Sequence, residues 1–181
     1  ADNYNTNLTI AEYELNDYLK EMLQGFEDYA STQHIGLSYQ SNFDYLSVWI
    51  DREKMESILK NLISNALKYT QKGGNVQVIA TEKGKEWSVE ISDTGIGIPQ
   101  SEQKRLFKTH FRSSNAINNK ITGSGIGLLL VWKLVKQHKG KITFHSKEGE
   151  GTSITVTFPI EARNFKKAIR TNSKPQKEHI T

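Results

Sequence analysis

Apolar residues recur at three- and four-residue steps through Met55, Ile58, Leu59, Leu62, Ile63 and Ala66. That period predicts a helix with one buried face. Asp51 stands at its N-cap position and Glu53 in its first turn, where the helix dipole favours negative charge. Asn61, Asn65 and Lys68 repeat at the same steps, so they form a narrow polar row bordering the apolar arc. An amide oxygen in that row can ligate a hard cation such as Mg²⁺, and an ammonium can meet a phosphate. A solvated helix edge would present the same row, so the pattern alone leaves both readings open.

Other segments follow from the same kind of pattern. Tyr13, Leu19, Met22, Leu23, Phe26 and Ala30 predict an amphipathic helix from Ile10 to Gln33, with Thr9 as its N-cap. Ile35 to Gln40 and Tyr45 to Ile50 read as short strands. Val76 to Ala80 and Trp87 to Ser92 alternate, and Lys83-Gly84-Lys85 between them predicts a hairpin. Glu102 to Phe111 is amphipathic; Ser113 to Thr122 carries no core-building pattern and reads as a mobile loop. A helix is predicted from Gly127 to about His138, ended by Gly140. Lys141 to Ser146 and Ser153 to Phe158 form a second hairpin around Gly149-Glu150-Gly151.

Composition narrows the picture. The chain has 181 residues, enough for one domain with a substantial core. Apolar residues make up 36% of it, which leaves room for tails. Residues 1–9 read as a flexible lead-in, 10–160 as the domain, and 161–181 as a linker or disordered tail. The net charge of +4 is mild and dispersed, so no nucleic-acid surface is expected. Without cysteine there is neither disulfide nor thiolate chemistry. No apolar run reaches membrane-spanning length, and no direct membrane contact is expected.

Two glycine-bearing runs could carry chemistry. Asp93-Thr94-Gly95-Ile96-Gly97-Ile98-Pro99 follows a strand end, where a carboxylate can accept a ligand hydrogen bond beside closely approaching backbone. A plain Asp-x-Gly turn would look the same. Gly123-Ser124-Gly125-Ile126-Gly127 opens a helix, and its N–H groups could meet phosphate. Leu128 stands where a dinucleotide fingerprint needs its last glycine, and no Gly-Lys-Ser/Thr ending marks a Walker loop.

The order of the motifs is the strong signal. Asn-x-x-x-Asn-x-x-Lys-Tyr, Asp-x-Gly-x-Gly-Ile-Pro, Phe-x-x-x-Phe-Arg, Gly-Ser-Gly-Ile-Gly-Leu and Gly-x-Gly-Thr follow one another between Asn61 and Thr152. This succession resembles the ATP-binding catalytic domain of bacterial sensor histidine kinases. Their superfamily also holds gyrase, the ninety-kilodalton heat-shock chaperone and mismatch-repair ATPases. The resemblance spans roughly Leu15 to Pro159, and Tyr45 to Thr70 looks most like the hybrid two-component type.

The resemblance implies an α/β (α+β) two-layer sandwich, a mixed sheet covered on one face by three main helices, with a mobile ATP lid at about 100–124. It implies Mg²⁺ on Asn65 with Asn61 nearby, Lys68 on phosphate and Tyr69 stacked on adenine. Asp93 would accept from the adenine amino group, Gly95 and Gly97 would let the base approach, and Ile98 would line its pocket. Arg112 would reach the terminal phosphate, Gly125 and Gly127 would hold phosphates, and Thr152 would support the base pocket.

Two features depart from, or refine, the family pattern. His110 takes the place of a second lid Phe, with Phe111 before Arg112. Asn61 stands where hydrolysing relatives place a water-activating Glu, and an amide cannot be a general base. That favours phosphotransfer over hydrolysis. None of His34, His110, His138, His145 and His179 is followed by an acidic residue, as the acceptor motif would require. The implied activity is γ-phosphate transfer from Mg²⁺-ATP to a histidine on a separate dimerisation domain, with a response-regulator receiver, possibly fused, downstream. The fragment would be monomeric and cytoplasmic, within a membrane-bound kinase. An ATP-binding regulatory module without transfer, or a serine kinase of the same superfamily, stays open.

Overall fold

The computed structural model describes residues 8–108, 113–118 and 127–161. Seven strands are described: β1 (Ile10–Glu14), β2 (Gly36–Ser41), β3 (Ser47–Asp51), β4 (Asn75–Lys83), β5 (Glu86–Asp93), β6 (Lys141–Lys147) and β7 (Gly151–Pro159). The α-helices are α1 (Leu15–Thr32), α2 (Arg52–Tyr69), α3 (Ser114–Asn118) and α4 (Gly127–Gln137). A 3₁₀ helix spans Gln100–Arg105.

The main sheet has the order β2-β4-β5-β7-β6. β2 runs parallel to β4 and the other pairs are antiparallel, so the sheet is mixed. Alternation decides its buried face. Val76, Val78 and Ala80 of β4, Trp87, Val89 and Ile91 of β5, and Val156 and Phe158 of β7 all point into one core. The apolar stripes of α1, α2 and α4 close that core from the other side. The expected two-layer architecture with three main helices on one face is the one observed.

Three elements differ from the sequence reading. Ile10–Glu14 is a strand and not the first turn of α1; it pairs with β3 from Ile10↔Asp51 to Glu14↔Ser47. The helix therefore starts at Leu15, capped by the Glu14 carboxylate, which accepts from the N–H groups of Asn16 (3.1 Å) and Asp17 (2.7 Å). Thr9 instead donates its N–H to Asp51 Oδ2 at 2.8 Å. The amphipathic piece at 102 yields only a 3₁₀ helix, because Leu106 leaves helical geometry at ψ 139°. Within the predicted loop at 113–122, Ser114–Asn118 is a short helix. The Glu102 carboxylate takes the N–H of Ser114, and Ala116 is buried.

Asp51 joins the layers. Its Oδ1 accepts the N–H of Lys54 and caps α2, while its own N–H donates to His138 Nε2 at 3.3 Å. His138 Nδ1 lies 2.9 Å from Leu134 O, which fixes a neutral tautomer with the proton on Nδ1. A proton on Nε2 would set two donors against each other in a buried site. Burial pushes the His138 pKa below its usual range. His138 thus supplies stability that is full above its unfolded pKa and lost as pH falls through its folded value. Acidification of the wild-type chain should therefore cost more stability than acidification of His138→Gln, which keeps an acceptor and a donor without a titrating ring. Urea denaturation of both proteins at pH 7.5 and pH 5 checks this.

Candidate functional site

A cleft opens where the C-terminal half of α2, the ends of β5 and β7, the turn after Asp93 and the start of α4 converge. It holds about 640 Å³ of space including its open mouth. Leu62, Ala66 and Tyr69 come from one line of α2, with Asn65 beside them. Ile91 and Asp93 come from alternate positions of β5, and Thr152 and Ile154 from alternate positions of β7. Ile96, Gly97 and Ile98 form the turn, Leu106 and Ser113 the outer rim, and Leu128 the side of α4. The lining is mostly apolar, with Asn65, Asp93, Ser113 and Thr152 as its polar side chains beside Tyr69.

Asp93 is the central polar group. Its Oδ1 accepts the N–H of Gly95 at 2.8 Å and of Thr152 at 3.2 Å. No hydrogen bond to its Oδ2 is present among the described residues, so one acceptor stays available at the cleft wall. Burial pushes the Asp93 carboxyl up to about 6, against the two N–H groups that pull it down. The pairing Asp93↔Thr152↔Ser146 runs across β5, β7 and β6 in one row. Ser146 Oγ accepts the N–H of Ile98 at 2.9 Å and lies 2.7 Å from Thr152 Oγ1. That row fastens the turn to the sheet.

The glycines of the turn have local reasons. A Cβ on Gly95 would fall 2.3 Å from Tyr69 O, the acceptor of the Ile96 N–H. Gly97 has φ +65°, and a Cβ there would fall 2.0 Å from Lys147 O. These residues let the end of α2 and the β6–β7 turn close around the cleft.

Asn65, Tyr69, Asp93, Gly97, Ile98 and Thr152 therefore meet in one cleft. Gly95 supports it from behind. Asn61 stands one turn from Asn65, at the start of α4: a Cβ on Gly127 would lie 2.7 Å from Asn61 Oδ1 and 4.0 Å from Asn65 Nδ2. Lys68 is exposed and does not line the cleft. Arg112 and Gly125 lie outside the described residues, as do His110 and Phe111. Sequence reasoning missed Ser146, Gln103 and Asn115, which reach the site through cross-strand pairing and loop packing. It also missed Ile91 and Ile154, although strand alternation from Asp93 and Thr152 could have found them.

A base with an exocyclic amine fits this site: isoleucine and leucine walls flank it, and one carboxylate oxygen is unspent. Comparison with known proteins gives the family and the fold. The family model "Histidine kinase-, DNA gyrase B-, and HSP90-like ATPase" matches residues 50–162. Histidine kinase P4 of Formosa agariphila is 34% identical over 162 residues, which is 88% of this chain and 12% of that protein. The curated relatives are much longer, and the chain spans between 12% and 39% of them. The catalytic domain of histidine kinase ThkA superposes with a TM-score of 0.73 at 24% identity, over 83% of this chain and 95% of that one. ThkA in complex with the response regulator TrrA superposes at 0.66 and 22% identity, over 84% of this chain and 42% of that one. At these identities the superpositions speak for the fold alone.

Proposed function

The chain belongs to the histidine kinase-, DNA gyrase B- and HSP90-like ATPase family, and on that premise we propose that it binds Mg²⁺-ATP and presents the γ-phosphate to a histidine on a separate dimerisation domain. The unspent Oδ2 of Asp93 in an apolar cleft carries the reading. Asp93 accepts from the adenine amine, Tyr69 stacks on the ring, and Ile98 covers its edge. Asn65, with Asn61 beside it, holds the metal, which would neutralise phosphate charge. Lys68 and Arg112 meet phosphates, as do the backbone N–H groups of Gly125 and of Gly127, the latter the first residue of α4. Catalysis is then positioning and charge neutralisation, with no general base required of Asn61.

Nucleotide titration with and without Mg²⁺ tests the reading. The wild-type chain should bind ATP more tightly with Mg²⁺, and Asn65→Ala should abolish that difference. An unchanged Mg²⁺ effect in Asn65→Ala would remove the metal from Asn65.

The acceptor histidine lies on the partner. His138 is buried and hydrogen-bonded, in keeping with a packing role. Arg112 acts on transfer more than on binding, because an arginine over the phosphates stabilises charge that develops in the transition state. Arg112→Ala should cut transfer to a supplied histidine-bearing helix pair on the order of a hundredfold, with a much smaller loss in ATP affinity. Equal losses would make Arg112 a binding residue; nucleotide binding without any transfer by the wild-type chain would favour a regulatory module. The product phosphohistidine then supplies a response-regulator receiver, as the ThkA–TrrA pairing suggests for this fold. Among the described residues no helix is long and apolar enough to cross a membrane. We place the domain in the cytoplasm as part of a membrane-bound kinase.

A further inference from the structure

We infer that Gln103 and Asn115 are positioning residues that clasp the 3₁₀ helix and α3 onto the rim of the cleft and thereby set how fast a nucleotide leaves. The inference rests on the nucleotide reading above. Gln103 Nε2 donates to Ile98 O at 3.0 Å and to Ser146 O at 2.9 Å. Asn115 Nδ2 donates to Gly97 O at 2.8 Å and to Ile96 O at 3.3 Å. Two side-chain amides thus hold four carbonyls, three on the turn after Asp93 and one on the facing end of β6. Glu102, next to Gln103, accepts the Ser114 N–H at 3.1 and 3.2 Å through its two oxygens, which ties the two rim pieces to each other.

The clasp reaches the cleft directly. Leu106 follows the 3₁₀ helix, Ser113 precedes α3, and both line the site. Leu106 and Ala116 are buried beneath these pieces, and Phe107 meets Phe144 of β6 edge to face at 5.8 Å. This apolar packing is non-directional and would tolerate sliding. The amides are directional: each has two donors, and here each engages two fixed carbonyls. A carboxylate of the same shape has no donor and would face those carbonyls with like partial charge. Gln103→Glu and Asn115→Asp therefore unfasten the rim with minimal change of volume. The carbonyls belong to the turn that carries Gly97 and Ile98, so the clasp couples rim position to the base pocket itself.

The test uses the full chain with Mg²⁺ and a fluorescent ATP analogue displaced by excess ATP in a stopped-flow instrument. Hydrogen exchange of the nucleotide-free proteins and their melting midpoints accompany it. Each variant should release the analogue roughly tenfold faster, since each loses a pair of neutral hydrogen bonds. Exchange should quicken within 100–108 and 113–118 while β4 and β5 stay as in the wild type and the melting midpoint falls by no more than roughly 3–6 °C. Unchanged release by the variants overturns the clasp. Faster release with faster exchange across the whole sheet also overturns it, because that marks general loosening. Failure of the wild-type chain to bind the analogue at all overturns the nucleotide reading and the clasp together.

Discussion

Replacing Asp93 by asparagine is expected to weaken ATP binding by roughly tenfold to a hundredfold, the cost of mispairing one buried polar group. It should also narrow the preference for ATP over GTP. The carboxylate is acceptor-only when ionised, and its Oδ1 is taken by the N–H groups of Gly95 and Thr152. Oδ2 is left to select a donor. Adenine offers an amine at that edge, whereas guanine offers a carbonyl oxygen, which would set acceptor against acceptor. An asparagine amide can turn its NH₂ outward and welcome that carbonyl. Competition of ATP and GTP against a fluorescent nucleotide, for both forms, reads the effect. A wild-type chain indifferent to the base, or an unchanged ratio in the variant, would mean that Asp93 does not read it.

The same carboxyl makes binding depend on pH. Burial raises its pKa to about 6 in the free protein, above the unfolded value of 3.8. Its contribution to folding stability is therefore present below the unfolded value and lost as pH rises through about 6. Binding to the adenine amine needs the ionised form and so has the opposite slope. ATP affinity should be level above pH 7 and fall, by up to about tenfold per pH unit, below about 6. Asp93→Asn should abolish that fall.

The second large effect is at Gly151. Its φ is +125°, in a region that residues with a side chain scarcely enter. A Cβ there would lie 1.9 Å from Asp93 O and 3.0 Å from Thr94 Cα. Both contacts are backbone, so relief requires β7 to move away from β5 at the row that holds Asp93. Gly151→Ala is expected to cost about 3 kcal/mol or more, a fall in melting midpoint of roughly 6–12 °C. ATP affinity should drop with it, because Thr152 N–H would leave Asp93. Gly149 supplies the control. It has φ +80° in the same turn, with nothing within 4 Å of a Cβ. Gly149→Ala should cost only about 1–2 kcal/mol, the left-handed penalty alone. Equal effects at the two positions would show that backbone conformation, and not the approach of β7 to β5, decides the loss.

Periodicity and punctuation made most of the elements legible. The three-four repeat gave α2 its buried face, and Asp51 marked its start in sequence and structure alike. Period-two alternation found the first hairpin and Gly149-Glu150-Gly151 marked the turn of the second, since these signals act through neighbours in the chain. The succession of motifs, from Asn61 to Thr152, identified the family and pointed to Asn65, Tyr69, Asp93 and Thr152 as a set. Their convergence in one cleft accords with that set.

What lay beyond the sequence is long-range. Ile10–Glu14 fits a helix by its local pattern, but hydrogen bonding to β3 draws it into a strand, and Glu14 then becomes the cap. Ser114–Asn118 has no core pattern of its own; the Glu102 carboxylate and the burial of Ala116 make it a helix. Ser146, Gln103 and Asn115 carry no motif, because their partners are fixed by register and by loop packing. The chemistry of the site was written in residue types at short spacing. The local turn brings the Gly95 N–H to Asp93 Oδ1, but the second donor on that oxygen, the Thr152 N–H, arrives only when β7 pairs with β5.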